Sequence, residues 1–109
     1  MVHEMKLQNA PFMGIASGKK RIEMRLYDEK RSKIQVGEDI VFTNTVTGQT
    51  LRRRVKALHV YADFETLYAG HSKEALGYAE DEEAKPTDMH AYYTDEDIKR
   101  YGVVGIELI

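Results

Sequence analysis

The sequence predicts a small α+β barrel with short helices inserted between its strands, on three observations. Apolar and polar residues alternate at both ends of the 109-residue chain, over residues 3 to 7 and again over Val104, Ile106 and Leu108. Further strand-like runs and a hairpin signal fall between residues 21 and 61. Helix caps dominate the stretch from Asp63 to Gly102, so the last strand returns to the sheet after a helical insertion. Strands at both ends with helices between them suit a small barrel better than a repeating βαβ sheet.

In chain order, Met5 and Leu7 alternate with Glu4 and Lys6, as in a strand with one buried face. Pro11 suits the first turn of a short helix, where its missing N–H has no partner to lose, and Gly18 is placed to stop it. From Arg21 to Leu26 the alternation is strict, with Ile22, Met24 and Leu26 on one face and Arg21, Glu23 and Arg25 on the other. Gly37 turns the chain into a strand over Asp39 to Thr43, and Thr47-Gly48 reads as a hairpin tip. The return strand, Leu51 to Tyr61, gives Leu51, Arg53, Val55, Ala57 and His59 one parity. Asp63 caps a helix that stops at Gly70, and Ser72 to Gly77 adds another turn. Thr94, with Asp97 three residues on, starts a last helix that ends at Gly102.

Length and composition bound what this fold can do. A 12.5 kDa chain supports one compact core and not two. With 42% hydrophobic and 31% charged residues it is a globular chain, too apolar to be disordered. No cysteine is present, which excludes disulfides, thiolate nucleophiles and iron–sulfur clusters and suits a reducing cytoplasm. The longest apolar stretch, Val103 to Ile109, contains Glu107 and is far too short to cross a bilayer about 30 Å thick. The first six residues lack the apolar centre of a signal peptide. The expected location is the cytoplasm, with no membrane partner and no cofactor.

The net charge of -2 conceals a divided chain. Residues 19 to 56 hold eleven Lys and Arg against five acids, and residues 57 to 109 hold four against twelve. The basic segment suits phosphate recognition through arginine's planar donor fork. The competing explanation is a strand whose charges are simply solvated. The acidic segment, Glu80 to Glu83 and Asp95 to Asp97, suits a basic protein partner or an ordinary solvated surface.

Gly18-Lys19-Lys20-Arg21-Ile22-Glu23-Met24-Arg25 fits the pattern G-x-K-x-x-E-x-R, preceded by Pro11-Phe12 and Ile15. Together with Gly37-Glu38-Asp39-Ile40, Phe64-Glu65-Thr66-Leu67, Tyr92-Tyr93-Thr94 and Tyr101 to Ile106, it resembles the ASCH domain family over nearly the whole chain. The resemblance implies a PUA-like barrel, with the first and last strands pairing into it, and a role connected with RNA or nucleotides. Some relatives resemble amidohydrolases of N4-acetylcytidine, in which a lysine activates a threonine and a later glutamate assists proton transfer. The lysine corresponds to Lys20, but the threonine position is Glu23, a poorer match to hydrolysis by a hydroxyl nucleophile. Glu65 and Glu74 are the candidates for the later glutamate.

The residues themselves suggest the same place. Lys20, Glu23 and Arg25 can converge at a barrel mouth, where the two cations hold a phosphate or carbonyl and Glu23 orients Arg25 or acts as a base. The alternative is a surface ion pair of little worth. Arg21, Lys33 and Arg53 are expected as outer electrostatic contributors, giving an affinity that falls steeply with salt. Of the adjacent tyrosines Tyr92 and Tyr93, Tyr93 is expected to face the cleft, and Tyr101 to pack in the core. His3, His59, His71 and His90 lack metal-ligand spacing, with His59 half-buried on its strand. The expected function is binding of RNA or a nucleotide-like ligand, and the rival is a small hydrolase of a modified nucleoside or of RNA using Lys20 and Glu23.

Overall fold

A computed structural model describes all 109 residues. Five strands form one curled sheet: β1 (Val2–Leu7), β2 (Ile22–Leu26), β3 (Asp39–Asn44), β4 (Thr50–Tyr61) and β5 (Val103–Leu108), in the order β1-β3-β4-β5-β2. Only the β1–β3 pair is parallel. The helices are α1 (Asn9–Ala16), α2 (Glu29–Ser32), α3 (Phe64–Ala69), α4 (Lys73–Leu76) and α5 (Asp95–Tyr101), with a 3-10 turn over Pro86–Ala91. The first and last strands belong to one half-barrel sheet, but as members separated by β3 and β4. The barrel's open seam lies between β1 and β2.

The caps follow from local chemistry. Asp63 accepts from the Thr66 amide at 2.8 Å, Ser72 from that of Ala75 and Thr94 from that of Asp97, each satisfying an amide that helix geometry leaves orphaned. Asp95, Glu96 and Asp97 fill the first turn of α5, where the helix dipole favours negative charge, so this acidic run has a local structural reason.

The expectation of one core is corrected to two apolar clusters, one on each face of the sheet. The inner cluster joins Met5, Leu7, Ile40, Phe42, Val55, Val104, Ile106 and Leu108 with Phe12 and Ile15 of α1. The outer cluster packs Ile22, Met24, Leu26 and Val103 against Phe64, Leu67, Leu76, Met89 and Ile98 from the helical insertion. The physical reason lies in β5, where Val103 joins the outer cluster while Val104, Ile106 and Leu108 join the inner one.

The architecture also decides which way the strand faces turn. Residues 21 to 26 alternate, with Arg21 exposed and the polar residues after it turned inward. Glu23 pairs with Ile106 and Arg25 with Val104, so both point to the inner side of the sheet. On β4 the single parity is broken by a bulge between Val55 and Ala57. Val55 faces the inner cluster, while Ala57 and His59 pair with Glu107 and Gly105 on the outer face. Tyr101 is also corrected: it is exposed, with the Arg100 guanidinium 5.2 Å from its ring centre.

Candidate functional site

The seam between β1 and β2 opens into a cavity of about 530 Å³. Its lysine arrives in a constrained way. The Lys20 amide donates to the Gly14 carbonyl of α1 at 2.9 Å, and the Arg21 amide donates to the Ala75 carbonyl of α4 at 2.9 Å. The aliphatic stem of Lys20 then runs between Gly14 and Gly77, where an added Cβ would come within 3.1 Å and 3.0 Å of it respectively. A side chain at either position would press on the Lys20 stem and force it to shift.

The stem delivers the ammonium to a buried position, with Lys20 only 6% exposed. Nζ donates to the Leu76 carbonyl at 2.8 Å and sits 3.5 Å from Glu23 Oε1. The other Glu23 oxygen accepts from Arg25 Nε at 2.8 Å, and Arg25 Nη2 donates to the Lys6 carbonyl at 2.8 Å. Arg25 therefore clasps the open seam, tying β2 to the free edge of β1 while holding Glu23 toward Lys20. The triad Lys20, Glu23 and Arg25 converges on one cavity wall, and the surface ion pair weighed from sequence is instead a buried network.

Burial pushes the Lys20 ammonium below its ordinary pKa, and the Glu23 carboxylate opposes that fall. An ammonium carries three N–H donors. One is spent on Leu76 and the Glu23 contact is long, so donor capacity remains for a ligand.

Tyr93 lines the cavity, with its ring stacked on Phe64 at 6.0 Å between centres and its phenol pKa raised by burial. Tyr92 also lines it and is the more exposed of the two at 61%. The other expected residues lie elsewhere. Lys33 lines a separate shallow depression and pairs with Glu29, and neither Arg21 nor Arg53 lines the cavity. Arg52 and Arg54 share Asp39, so the basic run on β4 is largely committed to a carboxylate. Glu65 and Glu74 are exposed and do not line the cavity.

Several lining groups escaped the sequence reading. Glu82 and Asp88 supply carboxylates, and Asp88 accepts from Tyr78 Oη at 2.8 Å, which in turn bonds Tyr68 Oη at 2.7 Å. Burial and these two bonds push the Tyr78 phenol strongly upward, so it stays a protonated donor. Lys73 gathers the carbonyls of Glu80 and Glu82 at 2.6 and 2.7 Å, fixing the acidic loop at the cavity rim. The signals existed, a tyrosine and scattered acids in a helical insertion, but nothing local indicated that the insertion folds back over β2. The lining carries three bases, Lys6, Lys20 and Arg25, against three acids, Glu23, Glu82 and Asp88. Charge is therefore balanced at the cavity.

The ASCH domain family model matches residues 5–109. Among solved structures, the chain is similar to the hypothetical protein PH0355, at 35% identity and a TM-score of 0.83 over 99% of this chain and 97% of that one. It is also similar to protein PF0455 from Pyrococcus furiosus, at 38% identity and a TM-score of 0.71 over 99% and 96%. A variant of the ASCH protein of Zymomonas mobilis shares the fold at 17% identity and a TM-score of 0.56, over 96% of this chain and 68% of that one. No curated protein matches the sequence. No helix is long and apolar enough to cross a membrane.

Proposed function

The chain belongs to the ASCH domain family, and on that premise we propose that the seam cavity binds a nucleoside or a single unstacked nucleotide, free or presented by an RNA strand. The observation that carries this is the convergence of buried Lys20, Glu23 and Arg25 on one cavity wall with ammonium donors to spare. At about 530 Å³ the cavity falls within the range for small-ligand sites, roughly 300 to 1,000 Å³. Lys20 donates to a ring carbonyl or phosphate oxygen, Glu23 Oε1 accepts from an amino group, and Tyr92 and Tyr93 offer aromatic faces. Balanced charge favours a ligand near neutrality over a polyanionic backbone, so salt dependence is modest rather than steep.

The test is calorimetric titration of the wild-type protein with the four nucleosides, their monophosphates and a short single-stranded RNA, repeated with Lys20→Ala. Saturable binding that weakens by about tenfold or more in the variant is expected, the worth of one charged hydrogen bond. Absence of binding to every one of these probes at millimolar concentration overturns the reading.

A second reading is favoured by the lowered pKa of Lys20 beside Glu23. An amine that gives up its proton more readily than usual serves as general base, drawing a proton from water as the water oxygen attacks an acyl carbon and returning it to the departing amino nitrogen as the C–N bond breaks. Glu23 stands where the amidohydrolase-like relatives have a hydroxyl, so water is the nucleophile in this reading. Incubation with N4-acetylcytidine decides it: released acetate and cytidine support hydrolysis, and an unchanged substrate eliminates it.

A further inference from the structure

A second polar cluster lies on the outer face of the sheet, away from the triad. His59 Nε2 lies 2.9 Å from Glu107 Oε1, and Lys56 Nζ lies 3.5 Å from Glu107 Oε2. The rings of His59 and His71 meet edge to face with centres 4.7 Å apart. His71 Nε2 bonds Tyr61 Oη at 2.9 Å. Gly70 makes this approach possible, since a Cβ there would come within 2.9 Å of Tyr61 Oη. The bond thus anchors the Gly70 to Ser72 link between α3 and α4 onto the end of β4.

That link leads directly to the cavity. Ser72 caps α4, a single turn; α4 supplies the Leu76 carbonyl to Lys20 Nζ and the Ala75 carbonyl to the Arg21 amide, and Gly77, just beyond its end, lies against the Lys20 stem. We propose that His59 and His71 form a proton-operated latch, which holds α4 and the pocket ammonium of Lys20 in place while His71 is neutral and releases them when it is charged. As a control on ligand binding this rests on the reading of the seam cavity as a ligand site, whereas the movement of α4 does not.

The chemistry of the imidazole pair explains the two states. A neutral His71 exchanges one hydrogen bond with the Tyr61 hydroxyl in either tautomer. A charged His71 presents donors at both ring nitrogens and faces His59, 4.7 Å away between ring centres, whose charge opposes its own. Two cations at that spacing repel, and the outward route is open because His71 is only partly buried. The titratable groups facing His71 are Tyr61 and His59 from β4 and Glu107 from β5. On the flanking helices Glu65 and Glu74 are exposed, and Lys73 is occupied by the Glu80 and Glu82 carbonyls.

Desolvation and His59 lower the His71 pKa, so the neutral form is fully populated above the ordinary imidazole value and is lost only as pH falls below it. The experiment follows the backbone amide and histidine side-chain NMR signals of the whole protein from pH 8 to pH 5, in wild type, His71→Asn and His59→Gln. The amides of Lys20, Ala75, Leu76 and Gly77 are expected to shift together with the His71 ring, with one midpoint below about 6.5. That shared transition disappears in His71→Asn, and its midpoint rises in His59→Gln, where the opposing charge is gone. If His71→Asn fails to fold, the His59→Gln shift alone decides. Amides of α4 that do not titrate, or that titrate with an unchanged midpoint in His59→Gln, overturn the latch. A latch that operates while no nucleoside or RNA binds rejects only the ligand reading.

Discussion

The Lys20 ammonium donates to the Leu76 carbonyl at 2.8 Å, across fifty-six positions of sequence, and this bond ties the family-like motif to the helical insertion. Neither segment makes the cavity alone. The motif supplies Lys20, Glu23 and Arg25 from the edge of the sheet, and the insertion supplies Leu76, Gly77, Tyr78, Asp88, Tyr92 and Tyr93 as the facing wall.

Removing the two ends of the Lys20–Glu23 pair has unequal consequences. Lys20→Met keeps the stem between the two glycines and removes a desolvated charge, at the cost of leaving the Leu76 carbonyl without its donor. These effects oppose, and stability is expected to change by no more than about 2 kcal/mol. Glu23→Ala instead strands a buried ammonium and frees Arg25, with an expected loss of about 3 to 5 kcal/mol. Urea unfolding of the two variants measures the difference, and equal losses contradict the network described.

Gly77 has φ +106°, a conformation that a side chain strains, and its missing Cβ makes room for Lys20 Cδ. Gly77→Ala is therefore expected to destabilise by about 1 to 3 kcal/mol and to weaken ligand binding as well. Gly14→Ala meets a similar contact but sits within α1, where alanine gains about 1 kcal/mol of helix propensity. It should leave thermal stability nearly unchanged while displacing Lys20, seen as reduced binding in the same titration.

Arg25→Lys tests the clasp. A single ammonium cannot reproduce the two directed donors that reach Glu23 and the Lys6 carbonyl. Hydrogen exchange along the edge of β1, at Lys6 to Gln8, should accelerate in the variant by about tenfold or more, the equivalent of one lost charged bond. Unchanged exchange there would show that the seam is held by packing alone.

Acid stability has a readable origin. Glu38, Asp39, Asp63 and Glu107 are all held below the ordinary carboxylate range, by His3, Arg52, Thr66 and His59 in turn. The unfolded chain binds these protons first as pH falls, so their stabilisation is complete above about pH 4.5 and is lost below it. Thermal unfolding followed from pH 6 to pH 2 should show the melting temperature falling mainly below that point. Asp39→Asn should flatten part of the fall.

Much of the fold was readable because its signals are local. The caps at Asp63, Ser72 and Thr94, the turn at Gly48 and the alternation of β1 and β2 all depend on near neighbours. The bulge after Val55 left no comparable mark, since no glycine or proline announces it. Nor could alternation in β2 reveal that its polar face turns inward, because parity separates two faces without saying which is covered. The triad was readable through its motif, while the facing wall of Tyr78, Glu82 and Asp88 required long-range packing. The charge division overstated the basic surface, because Arg52, Arg54 and Lys56 spend their charge on Asp39 and Glu107.

The central claim is that the seam cavity binds its ligand through Lys20. A crystal structure of the protein with whichever nucleoside or monophosphate binds in solution tests it most directly. The ligand is expected in the seam between β1 and β2, with an oxygen acceptor within hydrogen-bond distance of Lys20 Nζ and its ring against Tyr92 or Tyr93. A ligand seated instead on the Arg52 to Arg54 strand, with the seam empty, would contradict it.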